Sequence, residues 1–96
     1  MERPIEFEWD THKAGVNLAK HGVSFEEARG VFSDPKALVV PDPDHSQTED
    51  RFVIMGLSPR ERVLVVVHCF RCQQSVIRII SARRAGTREQ KPYWTQ

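Results

Sequence analysis

The sequence predicts a single α+β domain, in which an N-terminal helical hairpin packs on an antiparallel β-meander followed by a short C-terminal helix. Three observations lead there. Helix-capping signals crowd the stretch before residue 35, β-rich runs separated by hairpin-sized gaps fill residues 51–83, and no repeat, low-complexity tract or linker divides residues 1–96. The apolar fraction of 40% and charged fraction of 28% are those of an ordinary soluble protein, with one core to bury.

The first element is a strand. In "PIEFEW" (4–9), Ile5, Phe7 and Trp9 alternate with Glu6 and Glu8, the pattern of a half-buried strand. Asp10 then stands where an N-cap belongs, and "THKAGVNLAKHG" reads as a helix closed by Gly22 at C′, with Lys20 and His21 in its last turn to suit the macrodipole. Ser24 and Glu27 have the spacing of a capping box. Phe25, Ala28, Val31 and Phe32 give the second helix one apolar face, and Asp34-Pro35 ends it. The turn between the two helices is tight, hence a helical hairpin.

"ALVVP" (37–41) is a short strand, and "DPDHSQTED" (42–50) a polar, turn-rich loop. Then come "RFVIMGL" (51–57), "RVLVVVHCF" (62–70) and "SVIRIISAR" (75–83), joined closely enough to pair as a meander. Tight hairpins set Leu57 near Val63 and Phe70 near Ser75. On that register Arg51, Val53, Met55, Val65, Val67, Arg78 and Ile80 share one face. Phe52, Ile54, Leu64, Val66, His68, Ile77, Ile79 and Ser81 share the other, which is the better core. The tail "RAGTREQKPYWTQ" looks helical around 86–91, where Gly86 and Pro92 limit its length.

Charge is unevenly placed. Residues 1–57 carry six Lys/Arg against eleven Asp/Glu, whereas residues 58–96 carry eight against two. Either the two halves interdigitate and cancel, or the molecule has one anion-seeking surface. Arg78 lies inside an apolar run, and Arg83 and Arg84 follow as that run ends, although an unpaired guanidinium is costly to desolvate. With Arg51, Arg88 and Lys91 these arginines form a candidate phosphate-binding groove, since the planar fork grips phosphate oxygens in pairs. The alternative is solvated surface paired to Glu49, Asp50 or Glu89.

Tyr93 and Trp94 offer faces on which bases stack, or else pack the tail onto the domain. His68 reads as a core-edge histidine or as a general acid or base. His21 is a cap, and His45 sits in a polar loop.

The pair Cys69 and Cys72 lies between strand-like segments rather than at a helix start. Only His68 is near it, so two thiols at a hairpin outweigh a metal or redox site. No phosphate-cradling glycine loop and no local hydrolase signature is present, which leaves small ribonucleases open because they need only scattered cationic and titratable groups. The acidic start is no secretory signal, and no apolar run reaches the roughly 20 residues of a membrane span. The expected setting is cytoplasmic.

The landmarks "FEWDTHKAGVNLAKHGVSFEEARGVFSDP", "DRFVIMG", "LVVVHCF" and "IRIISARRA...RE...Y", over about residues 5–93, resemble the BrnT family of toxins. That resemblance implies a RelE-like fold and a type II toxin–antitoxin ribonuclease that inhibits translation. It implies no metal and no cofactor, cleavage by attack of the ribose 2′-OH, and neutralisation by a BrnA-like ribbon-helix-helix antitoxin in a dimer of heterodimers. Operator DNA would be reached only through that antitoxin. Arg51, Arg78 and Arg83 would then bind the phosphate and stabilise charge, with His68 or Glu49 as base. Arg84, Arg88, Lys91 and Tyr93 would contact RNA. The family's basic tail helix is interrupted here by Gly86 and Pro92. A toxin-like module without catalysis, acting through its DNA-binding partner, is the alternative.

Overall fold

The computed structural model describes residues 5–42 and 50–96. His45 and Glu49 lie outside them, as does most of the loop expected at 42–50. In chain order the elements are β1 (Glu6–Glu8), α1 (Thr11–His21), α2 (Phe25–Val31), β2 (Leu38–Pro41), β3 (Arg51–Leu57), β4 (Val63–Arg71), β5 (Val76–Arg84) and α3 (Lys91–Trp94). The fold is α+β, as expected. The four strands β2 to β5 form the antiparallel meander, and β1 joins its far edge parallel to β5, giving the order β1-β5-β4-β3-β2.

The capping signals act as read at the helix starts. Asp10 accepts from the Lys13 N–H at 2.8 Å and Ser24 from the Glu27 N–H at 3.0 Å. Gly22 closes α1 at φ 68°, a left-handed conformation that costs glycine nothing. The capping box is only half built. Instead of returning to the Ser24 N–H, the buried Glu27 carboxylate takes Arg62 Nε at 3.0 Å, Arg62 Nη2, and the Ser58 hydroxyl at 2.7 Å. The Arg62 bond comes first in holding this carboxyl below the usual range, against the opposing push of burial.

Both helices cover one sheet face. Val23, Phe25, Ala28 and Val31 pack on Ile54, Leu64, Val66, Ile77, Ile79 and Ala82, with Phe7 and Trp9 at the margin. Gly56 permits the close approach of α2 and the segment after it, because a Cβ there would stand 3.0 Å from Val31 Cγ1 and 2.9 Å from the Ala37 Cβ. Since β1 reaches only Val76–Arg78, the edge of β5 beyond it is satisfied by the buried Asn17 of α1. Its amide donates to the Ala82 carbonyl at 2.9 Å and accepts from the Ala82 N–H at 3.1 Å.

Three expectations need correction. Phe70 pairs with Ile77 rather than Ser75, because the β4–β5 turn occupies Cys72–Ser75, with Cys72, Gln73 and Gln74 all at positive φ. Further along, Val67 pairs with Ser81 while His68 pairs with Ile79, so Ile80 is an extra residue on β5. The bulge transfers Ser81 to the face opposite the helices and takes Ile80 out of the ladder. The tail also differs: residues 87–90 form turns, and the helix starts at Lys91 with Pro92 in its first turn. Proline is tolerated there because that N–H has no intrahelical partner in any case.

Candidate active site

The face turned away from α1 and α2 carries a row of side chains that crosses four strands. Partners in a ladder share a face. Arg51 on β3 pairs with Cys69 on β4, Cys69 with Arg78 on β5, and Arg78 with Glu8 on β1. Phe7 of β1 points into the core, so the alternation read in the sequence puts Glu8 on the opposite side, against Arg78. Arg78 Nη1 donates to Glu8 Oε2 at 2.6 Å, and Arg71 Nε, two residues along β4 from Cys69, lies 3.7 Å from the same oxygen. The side chains of Arg78 and Glu8 are 33% and 38% exposed, so both meet solvent from a partly buried base. Cys69 is buried beneath the row, and Cys72 is exposed in the turn; the two are not joined in a disulfide.

Arg83 shares this face only because of the bulge: five residues after Arg78, it would otherwise point to the helices. Four ladder steps separate its partner Val65 from Cys69, so Arg83 lies about 13 Å from the row. Both of its terminal nitrogens meet Glu89, each at 2.7 Å, and Glu89 Oε1 also accepts the Gly86 N–H at 3.0 Å. The Arg83 fork drives the Glu89 carboxyl down to about 2, and Glu89 in turn raises Arg83. Arg88 and Lys91 are exposed in the tail that follows, whereas Arg84, also exposed, pairs with Leu64 and so lies on the helix side of the ladder, away from Arg83. The single groove expected from the sequence is thus two cationic groups, one across the strand row and one at the tail.

Two candidate residues have other surroundings. His68 is 1% exposed, under the helices, with its ring centroid 4.8 Å from Phe32, 5.5 Å from Phe70 and 6.1 Å from Phe52. Burial pushes its pKa down, partly offset by the Val66 carbonyl 3.3 Å from Nδ1. It has the core-edge position, shut off from anything bound on the open face. Tyr93 is also buried, and its hydroxyl donates to Asp34 Oδ2 at 2.6 Å, while Asp34 further accepts from the Leu57 N–H at 2.8 Å. Burial raises the Asp34 carboxyl, but the bonds from Tyr93, Leu57 and Lys36 outweigh it and leave it lowered. Tyr93 therefore fastens the tail to the domain, and Trp94 is the aromatic left exposed. Among the described residues, no group of three or more His, Cys, Asp or Glu is arranged to hold a metal ion.

A family model described as the ribonuclease toxin BrnT of type II toxin–antitoxin systems matches residues 9–89. The chain belongs to the BrnT family. Its fold is similar to that of the ribonuclease toxin BrnT from Brucella abortus, known from a 1.1 Å crystal structure. The TM-score is 0.67 at 24% sequence identity, over 86% of this chain and 99% of that one. No curated protein matches the chain.

Membership in the BrnT family makes this a ribonuclease toxin, with RNA as substrate and an antitoxin as partner. No helix among the described residues is long and apolar enough to cross a membrane. Two members of the charged row escaped the sequence reading. Alternation placed Glu8 opposite Phe7, but nothing local revealed that β1 pairs with β5, which is what sets Glu8 on Arg78. Arg71 was assigned to a turn, whereas the observed register makes it the last residue of β4.

Proposed function

We propose that this BrnT chain is a metal-independent endoribonuclease of RelE-like architecture, which cleaves RNA at the Arg51–Arg78 row by attack of a ribose 2′-OH on the adjacent phosphate. The reaction leaves a cyclic phosphate and a free 5′-hydroxyl. The observation that carries the reading is the row itself, with Arg51 on β3, Arg71 on β4 and Arg78 on β5 on the sheet side turned away from α1 and α2. As the 2′-oxygen bonds to phosphorus, charge collects on the non-bridging oxygens, and the guanidinium donors stabilise it. Arg83, Arg88 and Lys91 hold the flanking backbone as a sequence-independent electrostatic track, which Arg84, on the other side of β5, reaches only at the strand's end.

Cleavage of RNA in the cytoplasm inhibits translation, and a BrnA-like ribbon-helix-helix antitoxin neutralises the toxin in a dimer of heterodimers. Operator DNA is contacted only through that antitoxin. The same arginines that grip phosphate suit an acidic antitoxin segment, so inhibitor and RNA compete for one face. In the test, the purified chain is incubated with a labelled RNA in EDTA, beside the same RNA carrying 2′-deoxyribose at the cut site. Cleavage of the first and survival of the second is the expected result. Cleavage of both, or a requirement for divalent metal, contradicts the mechanism.

One observation favours a second reading, a toxin-like binding module without catalysis. Arg78 and Arg83 already hold carboxylates of their own chain, Glu8 and Glu89. Under that reading the folded chain binds its antitoxin and leaves RNA intact.

A further inference from the structure

We infer that Glu8 is the general base of the cleavage, the group that takes the proton from the attacking 2′-OH; this rests on the nuclease reading above. Three features of its placement carry the inference. Glu8 is the carboxylate of the charged row, held in place by the β1–β5 ladder rather than by a loop. Both guanidinium contacts, from Arg78 Nη1 at 2.6 Å and Arg71 Nε at 3.7 Å, fall on Oε2, and the side chain is 38% exposed, so Oε1 is the oxygen offered to the proton. His68, also considered for this role, does not compete, since it is buried on the opposite side of the sheet.

In the free chain Glu8 Oε2 is engaged by Arg78, with Arg71 close by, until something draws them away. A phosphate diester does so by offering those forks its own oxygens. It also sets a negative charge beside the carboxylate, and adjacent anions favour proton uptake by one of them. Binding and activation are then one event: Arg78 and Arg71 turn from Glu8 to the phosphate, and the freed carboxylate faces the neighbouring 2′-OH. The proton passes from the 2′-oxygen to Oε1 as the oxygen–phosphorus bond forms. The bond from phosphorus to the 5′-oxygen breaks, and that oxygen takes a proton from water. The products are a 2′,3′-cyclic phosphate and a 5′-hydroxyl, with Glu8 returning its proton to solvent.

Glu8→Gln tests this, because the amide keeps the size of the side chain and an oxygen for Arg78 but cannot accept the proton. Cleavage of a short RNA is followed as kcat and KM across pH, beside wild type and Glu8→Asp. The charged groups that face Glu8 are Arg78 on β5, Arg71 on β4 and Glu6 two residues back on β1. The expected result for Glu8→Gln is a loss of about 10²–10⁴ in kcat, KM near the wild-type value, and disappearance of the acid limb of the pH profile. Glu8→Asp is expected to keep that limb with a lower kcat.

Glu8→Gln activity close to wild type with the same pH profile overturns the inference and leaves the nuclease reading standing. Intact RNA with folded wild type overturns both. If Glu8→Gln does not fold, Glu8→Asp decides: full activity from a carboxylate withdrawn by one methylene overturns the inference.

Discussion

At the scale of single residues, the arginines divide by what they touch. Arg78 belongs to the row with Arg51 and Glu8, while Arg83 is occupied by Glu89 about 13 Å away. Arg78→Ala is therefore expected to lower kcat by about 10²–10³, the usual cost of removing a donor from developing charge. Arg83→Ala is expected to act mainly through KM. Steady-state kinetics on one RNA checks both, and equal effects on kcat would contradict the division. His68 lies in an aromatic cluster, so His68→Phe should retain cleavage within a few-fold, a result that RNA digestion at neutral pH reads directly.

The sequence made Arg78 conspicuous by setting it inside an apolar run. It left His68 open between core and catalysis, because strand parity names a face and not its depth. Glu8 was legible as a solvent-side position but not as the partner of Arg78, since that contact spans 70 residues and needs a parallel pairing without local signal.

Elements account for the next level. Caps, strand runs and the first hairpin followed from local chemistry, and each formed where capping side chains or apolar alternation demanded it. The second hairpin and the tail did not. Three consecutive positive-φ residues without a glycine give no turn signal, and a bulge at Ile80 has none either.

The tail clasps are testable as elements. Tyr93→Phe removes one bond to the Asp34 carboxylate and is expected to cost about 1.5 kcal/mol, the lower end for hydrogen bonds to charged groups, because Leu57 and Lys36 still serve Asp34. Thermal denaturation should show a fall of roughly 6–12 °C. Glu89 titrates near 2 in the folded chain against an ordinary 4.5, so its clasp with Arg83 contributes fully above pH 4.5 and is lost as the pH falls toward 2. Both side chains are more than a third exposed, which holds the contribution to about 1 kcal/mol. A melting-temperature gap between wild type and Glu89→Gln that closes on acidification is the expected outcome; a gap independent of pH would contradict it.

For the whole molecule, the uneven charge of the chain resolves into contacts between its halves. Glu8 meets Arg78 and Arg71, and Glu27 meets Arg62, each pairing the acidic first part with the basic second. Glu27→Ala would leave Arg62 and Ser58 without their acceptor and is expected to cost about 3 kcal/mol, read as a large drop in melting temperature with the cleavage site unaltered in the surviving folded fraction. Helices α1 and α2 and the Glu27 network occupy one side of the sheet, and the proposed function assigns RNA and the antitoxin to the other.

That division of the sheet is tested most directly by digesting end-labelled RNA with wild type and Arg78→Ala, both shown to be folded, in EDTA, and analysing the product ends. The expected result is cyclic-phosphate and 5′-hydroxyl ends from wild type and little cleavage by Arg78→Ala. Equal cleavage by the two proteins would place the chemistry elsewhere and contradict the assignment of the Arg51–Arg78 row as the cleavage site.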